Sequence, residues 1–260
     1  FIKKFSCACC APLFLSSCAE VAITNRRQLS FVSEKSINKQ AKQAYESIKQ
    51  TENIVKTGSK AEMLHEVGKK VTTSVENYFN QMGQFETLKD YEWEYILIEE
   101  PETLNAWCMP GGKIAFYTGI LDITENEDGM ASVMGHEIAH AVAKHSLERA
   151  SQSLALKVGT TILDIALEGA LSSSSADDYL VNLGLTLPFN RLQESEADYL
   201  GLSFMTMAKY DNNEAYRVWE RMQKAQEGKT PPEFLSTHPS PKNRIEKIKN
   251  WIPEVNLRFS

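Results

Sequence analysis

The chain has 260 residues, 42% of them apolar and 24% charged, which suffices for one sizeable core and excludes a disordered, fibrous or disulfide-rich protein. Against 34 acidic residues stand 28 basic ones, a formal charge of −6 with a pI near 5.5, and no basic patch of the kind that binds nucleic acid. These figures fit a free cytosolic enzyme; the amino terminus does not.

Residues 1–17 place Lys3 and Lys4 ahead of an apolar run from Phe5 to Leu15. That run is too short to span a bilayer as a helix but has the form of a signal peptide. Leu15-Ser16-Ser17-Cys18 resembles the bacterial lipobox, in which the cysteine thiol is acylated. Removing 1–17 takes away Cys7, Cys9 and Cys10, acylation uses Cys18, and Cys108 is left without a disulfide partner. The expectation is a lipid-anchored protein of the bacterial envelope, with Ala19 pointing to the outer membrane and the folded part facing the periplasm. Residues 18–35, polar and irregular, would be the tether, and 36–260 the domain.

From about 36 to 82, Ile37, Ala41, Ala44, Tyr45 and Ile48, then Met63, Val67, Val71, Val75 and Phe79, recur at steps of three and four. That period predicts two amphipathic helices broken near Gly58. Residues 91–98 alternate and then turn apolar, as a strand does. Residues 105–109 and 113–117 flank Pro110-Gly111-Gly112 and predict a hairpin. Thr124 and Glu127 have capping-box spacing, so a helix should start near 125 and run to about 148. The apolar stretch 154–171 carries Lys157, Asp164 and Glu168, which argues for an amphipathic helix over a membrane span. After a break at Ser172 to Ser175, helices are expected at about 190–209 and 213–226. A loop over 228–239 follows, and Ser240-Pro241 opens a last helix. The fold class is α+β, mostly α-helical, with one small β-sheet.

His136-Glu137-Ile138-Ala139-His140 is an HExxH pattern. Four apart on a helix, the two imidazoles point the same way and can bind one metal ion, while the Glu137 carboxylate can reach a metal-bound water. Neutral imidazoles suit zinc, and a catalytic zinc needs three protein ligands with the fourth position open. A third His six residues after His140 would mark one class of such enzymes, but Ser146 stands there. A later helix offers Glu194 and Glu196, about 200° apart around the axis, so only one can face the metal. His145 lies about 140° from His140 on a continuous helix and is no ligand by that geometry. It and His65 read as structural or exposed, and Cys108 as a small buried hydrophobe.

Glu194-x-x-Ala197-Asp198 resembles the ExxAD signature of the zinc metallopeptidases that include the CAAX prenyl endopeptidase, the heat-shock protease HtpX and the mitochondrial stress protease of the inner membrane. Asn105 to Ile120, Leu187 to Arg191 and the His238-Pro239 to Arg244-Ile245 segment resemble the same family, over roughly residues 60–250. The resemblance implies a zincin-type domain in which the HExxH helix packs against the ExxAD helix, with one Zn2+ held by His136, His140 and Glu194. It selects Glu194 over Glu196, and places Asp198 one turn on, where it could accept the second ring N–H of a zinc-bound His. The implied activity is that of a gluzincin endopeptidase of the soluble periplasmic lipoprotein branch, with Glu137 as general base.

His238 and Arg244 are candidates to stabilise the tetrahedral oxyanion. His238 could instead occupy the open zinc position and keep the enzyme off. Asn105 and Gly111-Gly112 suggest an edge strand able to pair with an extended peptide, and 154–187 could form a lid. Expected substrates are unfolded or misassembled envelope proteins. The alternative is a periplasmic chaperone or assembly factor with a latched, rarely active zinc site.

Overall fold

The Ser33 hydroxyl accepts a hydrogen bond from the Ser36 N–H and opens α1 (Glu34–Thr51), which buries Ile37, Ala41 and Tyr45. A computed structural model describes residues 18–154, 189–226, 233–239 and 243–260. The expected leader 1–17, the break at 172–175 and all but the first residue of the 154–171 helix and the 154–187 lid lie outside that set. Gly58, at φ 102°, separates α1 from α2 (Ser59–Gln81) as the periodicity requires, and Leu64, Val67, Val71, Val75 and Phe79 form the buried stripe of α2.

Residues 18–35 are not irregular. β1 (Cys18–Glu20) and β2 (Arg27–Leu29) pair antiparallel, and Val21 and Ile23 between them enter the main core. The expected tether thus packs on the domain; apolar residues in short, irregularly spaced runs were too weak a pattern to announce it.

The second sheet contains β3 (Glu94–Ile98), β4 (Ala106–Met109) and β5 (Lys113–Tyr117) in the order β3-β5-β4. β4 and β5 form the expected antiparallel hairpin, and β3 runs parallel to β5. Gly111 and Gly112 turn the hairpin at φ 81° and 85°, a conformation that favours glycine. The outer edge of β3 is taken by Ile54 and Val55, whose N–H donates to the Leu97 carbonyl; no strand among the described residues covers the outer edge of β4.

A single helical turn, Leu121–Thr124, precedes α3 (Glu127–Val142). The cap of α3 is Asn126, whose Oδ1 accepts from the Gly129 N–H at 2.9 Å, and not Thr124, whose hydroxyl donates to the Leu121 carbonyl. Nor does α3 reach 148. It ends at Val142, Lys144 adopts φ 57°, and helix resumes at residues 145–154 in a new direction. Asn190 and Gln193 form a capping box at the start of α4 (Arg191–Met207). α5 (Glu214–Gln226), the short α6 (Glu233–Thr237) inside the expected loop, and α7 (Arg244–Phe259) complete the chain. The expected opening at Ser240-Pro241 lies outside the described residues, and α7 itself starts at Arg244.

α3 packs most extensively on α4. The two helices touch through glycines: a Cβ on Gly135 would sit 2.7 Å from the Gly201 carbonyl oxygen, and one on Gly201 the same distance from the His136 nitrogen. This approach brings the ExxAD segment of α4 up to the HExxH segment of α3.

Candidate active site and metal centre

His136, Glu137 and His140 lie in the carboxy-terminal half of α3, His140 in its last turn, each no more than 4% exposed, and Glu194 faces them from the first turn of α4, fully buried. The Nε2 atoms of His136 and His140 are 3.1 Å apart. Glu194 sets Oε1 3.3 Å from His140 Nε2 and Oε2 3.6 Å from His136 Nε2. His238 joins from the end of α6, with Nδ1 3.0 Å from Glu194 Oε1 and 3.3 Å from His136 Nε2. Four buried residues thus offer ligand atoms within 4.8 Å of one another. Imidazole nitrogens and one carboxylate are a donor set that fits zinc.

The rings are fixed from behind. His136 Nδ1 lies 3.1 Å from Asp198 Oδ1, so the carboxylate one turn beyond Glu194 accepts the proton that keeps Nε2 free. Arg244 Nη2 donates to Asp198 Oδ1 at 2.6 Å and to Glu194 Oε2 at 3.0 Å, while its guanidinium lies 3.4 Å over the Trp219 ring. Arg244 is therefore set against the Glu194 and Asp198 carboxylates of α4, and is not among the residues lining the cavity beside Glu137.

Burial tends to lower the His136 pKa, but Asp198 and Glu194 outweigh it and bring it to about 9. His140, with burial dominant over the pull of Glu194, is held well below the usual histidine range. Burial would raise Glu194, yet His238, His136 and His140 together keep it well below the usual carboxylate range. The Glu137 pKa is raised by burial, and its buried Oε1 has no hydrogen-bond partner among the described residues.

A cavity of about 220 Å³ opens beside this centre, lined by Asn105, Trp107 and Tyr117 on the sheet side and by Glu137, Phe189 and His238 opposite. β4 forms one wall, across from Glu137. Cys108 also reaches this wall; burial pushes its thiol well above the usual range, as suits a small hydrophobe.

Sequence spacing missed His145 and Glu196. The break at Lys144 turns His145 back so that its Nδ1 lies 2.8 Å from His140 Nδ1, and its Nε2 lies 2.9 Å from Glu196 Oε2. Both residues are buried. His65 instead meets the Tyr95 ring edge-on, far from the centre.

The model of peptidase family M48 matches residues 69–252. Mitochondrial metalloendopeptidase OMA1 of Schizosaccharomyces pombe is 36% identical over 247 residues, covering 92% of this chain and 67% of the relative. The protein of the same name from Saccharomyces cerevisiae is 35% identical, over 65% of this chain and 50% of its own length, and that of Arabidopsis thaliana 37%, over 62% and 32%. The chain thus spans only half or less of the latter two relatives.

These relatives overturn the expected placement at a bacterial outer membrane facing the periplasm, and remove the setting in which acylation of Cys18 was inferred. A short apolar run followed by a cysteine is a pattern that composition alone does not assign to one compartment. No helix among the described residues is long and apolar enough to cross a membrane. With its family model covering well over half of its length and its site built on HExxH and ExxAD helices, the chain belongs to peptidase family M48 and is a metalloendopeptidase.

Proposed function

We propose that the chain is a zinc-dependent endopeptidase acting on protein segments in mitochondria, and that it takes them as an extended strand along β4. The location rests on the relatives named above. The observation that carries the chemistry is the meeting of two imidazole Nε2 atoms and the Glu194 carboxylate next to Glu137, whose buried Oε1 has no hydrogen-bond partner among the described residues.

His136, His140 and Glu194 would hold the zinc. When bound, the ion lowers the pKa of a water molecule and polarises the scissile carbonyl. Glu137 takes the proton from the water on its free carboxylate oxygen and later delivers it to the leaving amine; the upward shift from burial moves its basicity toward what a general base needs near neutral pH. Asp198 and Arg244 keep His136 and Glu194 oriented, and Arg244 acts on ligands and not on substrate. Asn105 and β4 supply backbone groups to an extended peptide, with Trp107, Tyr117 and Phe189 around its side chains. His238 stands among the metal donors and 3.6 Å from Glu137 Oε1, which favours a resting-state cap over an oxyanion donor.

The test is cleavage of casein by the zinc-loaded protein, with Glu137→Gln beside it. The parent should cut, and the variant should retain zinc yet lose at least ~10²-fold in rate. Equal cleavage by the two would remove Glu137 as the base.

A further inference from the structure

His140 reaches a carboxylate by a different route from His136. The Nδ1 of His136 meets Asp198 directly, whereas the Nδ1 of His140 faces another imidazole, that of His145. With His140 Nε2 turned toward Glu194, the His140 proton sits on Nδ1 and is donated to His145 Nδ1. His145 must then carry its own proton on Nε2, and donates it to Glu196 Oε2 at 2.9 Å. The chain from ligand to carboxylate has one consistent placement of protons.

The far end is fixed as firmly. Glu196 accepts from the Thr24 hydroxyl and from Arg26 Nε, the latter at 2.6 Å. The other two nitrogens of Arg26 donate to the two oxygens of Glu148, each at 2.9 Å. Glu148 also accepts from the Gln193 side chain at 2.8 Å, and Gln193 is the capping residue immediately before Glu194. Arg26 therefore clamps α4 and the 145–154 helix together, and does so from the loop of the β1–β2 hairpin. His145, Glu148, Gln193 and Glu196 are all buried, so a carboxylate here without its partners would be costly.

We infer that His145 and Glu196 are positioning residues for His140, completed by Arg26 from the amino-terminal hairpin. Two of the three carboxylates of α4 divide this work: Asp198 orients His136 directly, and Glu196 orients His140 through His145. This rests on the reading of His140 as a zinc ligand. It gives the hairpin a place in the metal centre that no separate tether could have.

The experiment measures zinc affinity by chelator competition, the absorption spectrum of the Co2+-loaded protein, and circular dichroism, on the full chain. His145→Phe removes acceptor and donor, and should weaken zinc binding about 10- to 100-fold and alter the Co2+ bands. His145→Gln can still accept from His140 and donate to Glu196, and should recover affinity to within about threefold, a rescue that a purely space-filling role would not produce. Glu196→Gln, isosteric and so the safer variant for folding, should weaken binding in the same direction with unchanged circular dichroism. Unchanged zinc affinity in His145→Phe and Glu196→Gln would overturn the inference. His140→Ala separates the two readings: if it too leaves zinc binding unchanged, the ligand assignment falls as well; if it alone weakens binding, only the positioning chain falls.

Discussion

His238 is only 2% exposed, yet it stands at the end of a five-residue helix and beside the cavity, where one side chain can reach the metal donors and Glu137 alike. A hydrogen bond to a charged group contributes about 1.5–3 kcal/mol, so a cap of this kind should slow substrate entry roughly tenfold or more. His238→Ala should therefore raise the casein cleavage rate by that order, read from initial rates at low substrate. A fall of about 10²-fold in kcat with KM unchanged would instead identify an oxyanion donor. At this scale the sequence was legible where chemistry follows local spacing, as in two His four apart on one helix face, while Glu194 was set apart from Glu196 only by the family resemblance. It was not legible at His145, because counting 100° per residue presumes a helix that continues, and the left-handed Lys144 ends that presumption one residue earlier. Only the polar density of the 144–149 stretch on an otherwise apolar helix hinted that these side chains have partners.

The helix pair α3–α4 depends on two positions without a side chain. With Gly135 and Gly201 in mutual backbone contact, adding a methyl group leaves no flexible side chain to yield, and the helices themselves must separate. Gly201→Ala should cost about 1–3 kcal/mol in denaturant unfolding. Because Glu194 and Asp198 ride on the same helix, zinc affinity should fall with it. Lys60→Ala on the distant, exposed start of α2 is the comparison, expected to change both within experimental error. Zinc affinity unaltered in Gly201→Ala would mean that the carboxylates reach the metal without close helix packing. Elements of this kind were readable from period and punctuation: Gly58 parts α1 from α2, and Pro110-Gly111-Gly112 turns the hairpin, whereas the Asn190 cap of α4 comes from the structure. The β1–β2 hairpin has no such signature, since its three-residue strands show no alternation and its fit depends on Arg26 meeting two acids over 120 residues away.

For the molecule as a whole, the metal centre is where burial and charge are most opposed, since the Glu194 and Asp198 carboxylates are enclosed with three imidazoles and one guanidinium. Zinc that binds only the folded protein stabilises it by RT ln(1 + [Zn]/Kd), about 2.7 kcal/mol at one hundred times Kd. For a chain of this size that corresponds to a Tm some 5–10 °C higher than after treatment with a chelator. The gain depends on pH through His136. In the stripped protein its pKa is about 9, raised from 6.5, so below pH 9 it holds a proton that zinc must displace. Apparent zinc affinity should then rise with pH, roughly tenfold per unit while one proton is displaced, and level off above pH 9. The same proton stabilises the stripped fold: a raised folded-state pKa contributes fully below the unfolded value near 6.5 and is lost as pH rises through about 9. Both effects have the same sign, so the Tm gap between loaded and stripped protein should widen from pH 6.5 to pH 9. Differential scanning calorimetry at pH 6.5, 7.5 and 8.5, with and without chelator, measures it. A gap that stays constant or narrows would mean that Asp198 and Glu194 do not hold a proton on His136, and that the site meets zinc already deprotonated.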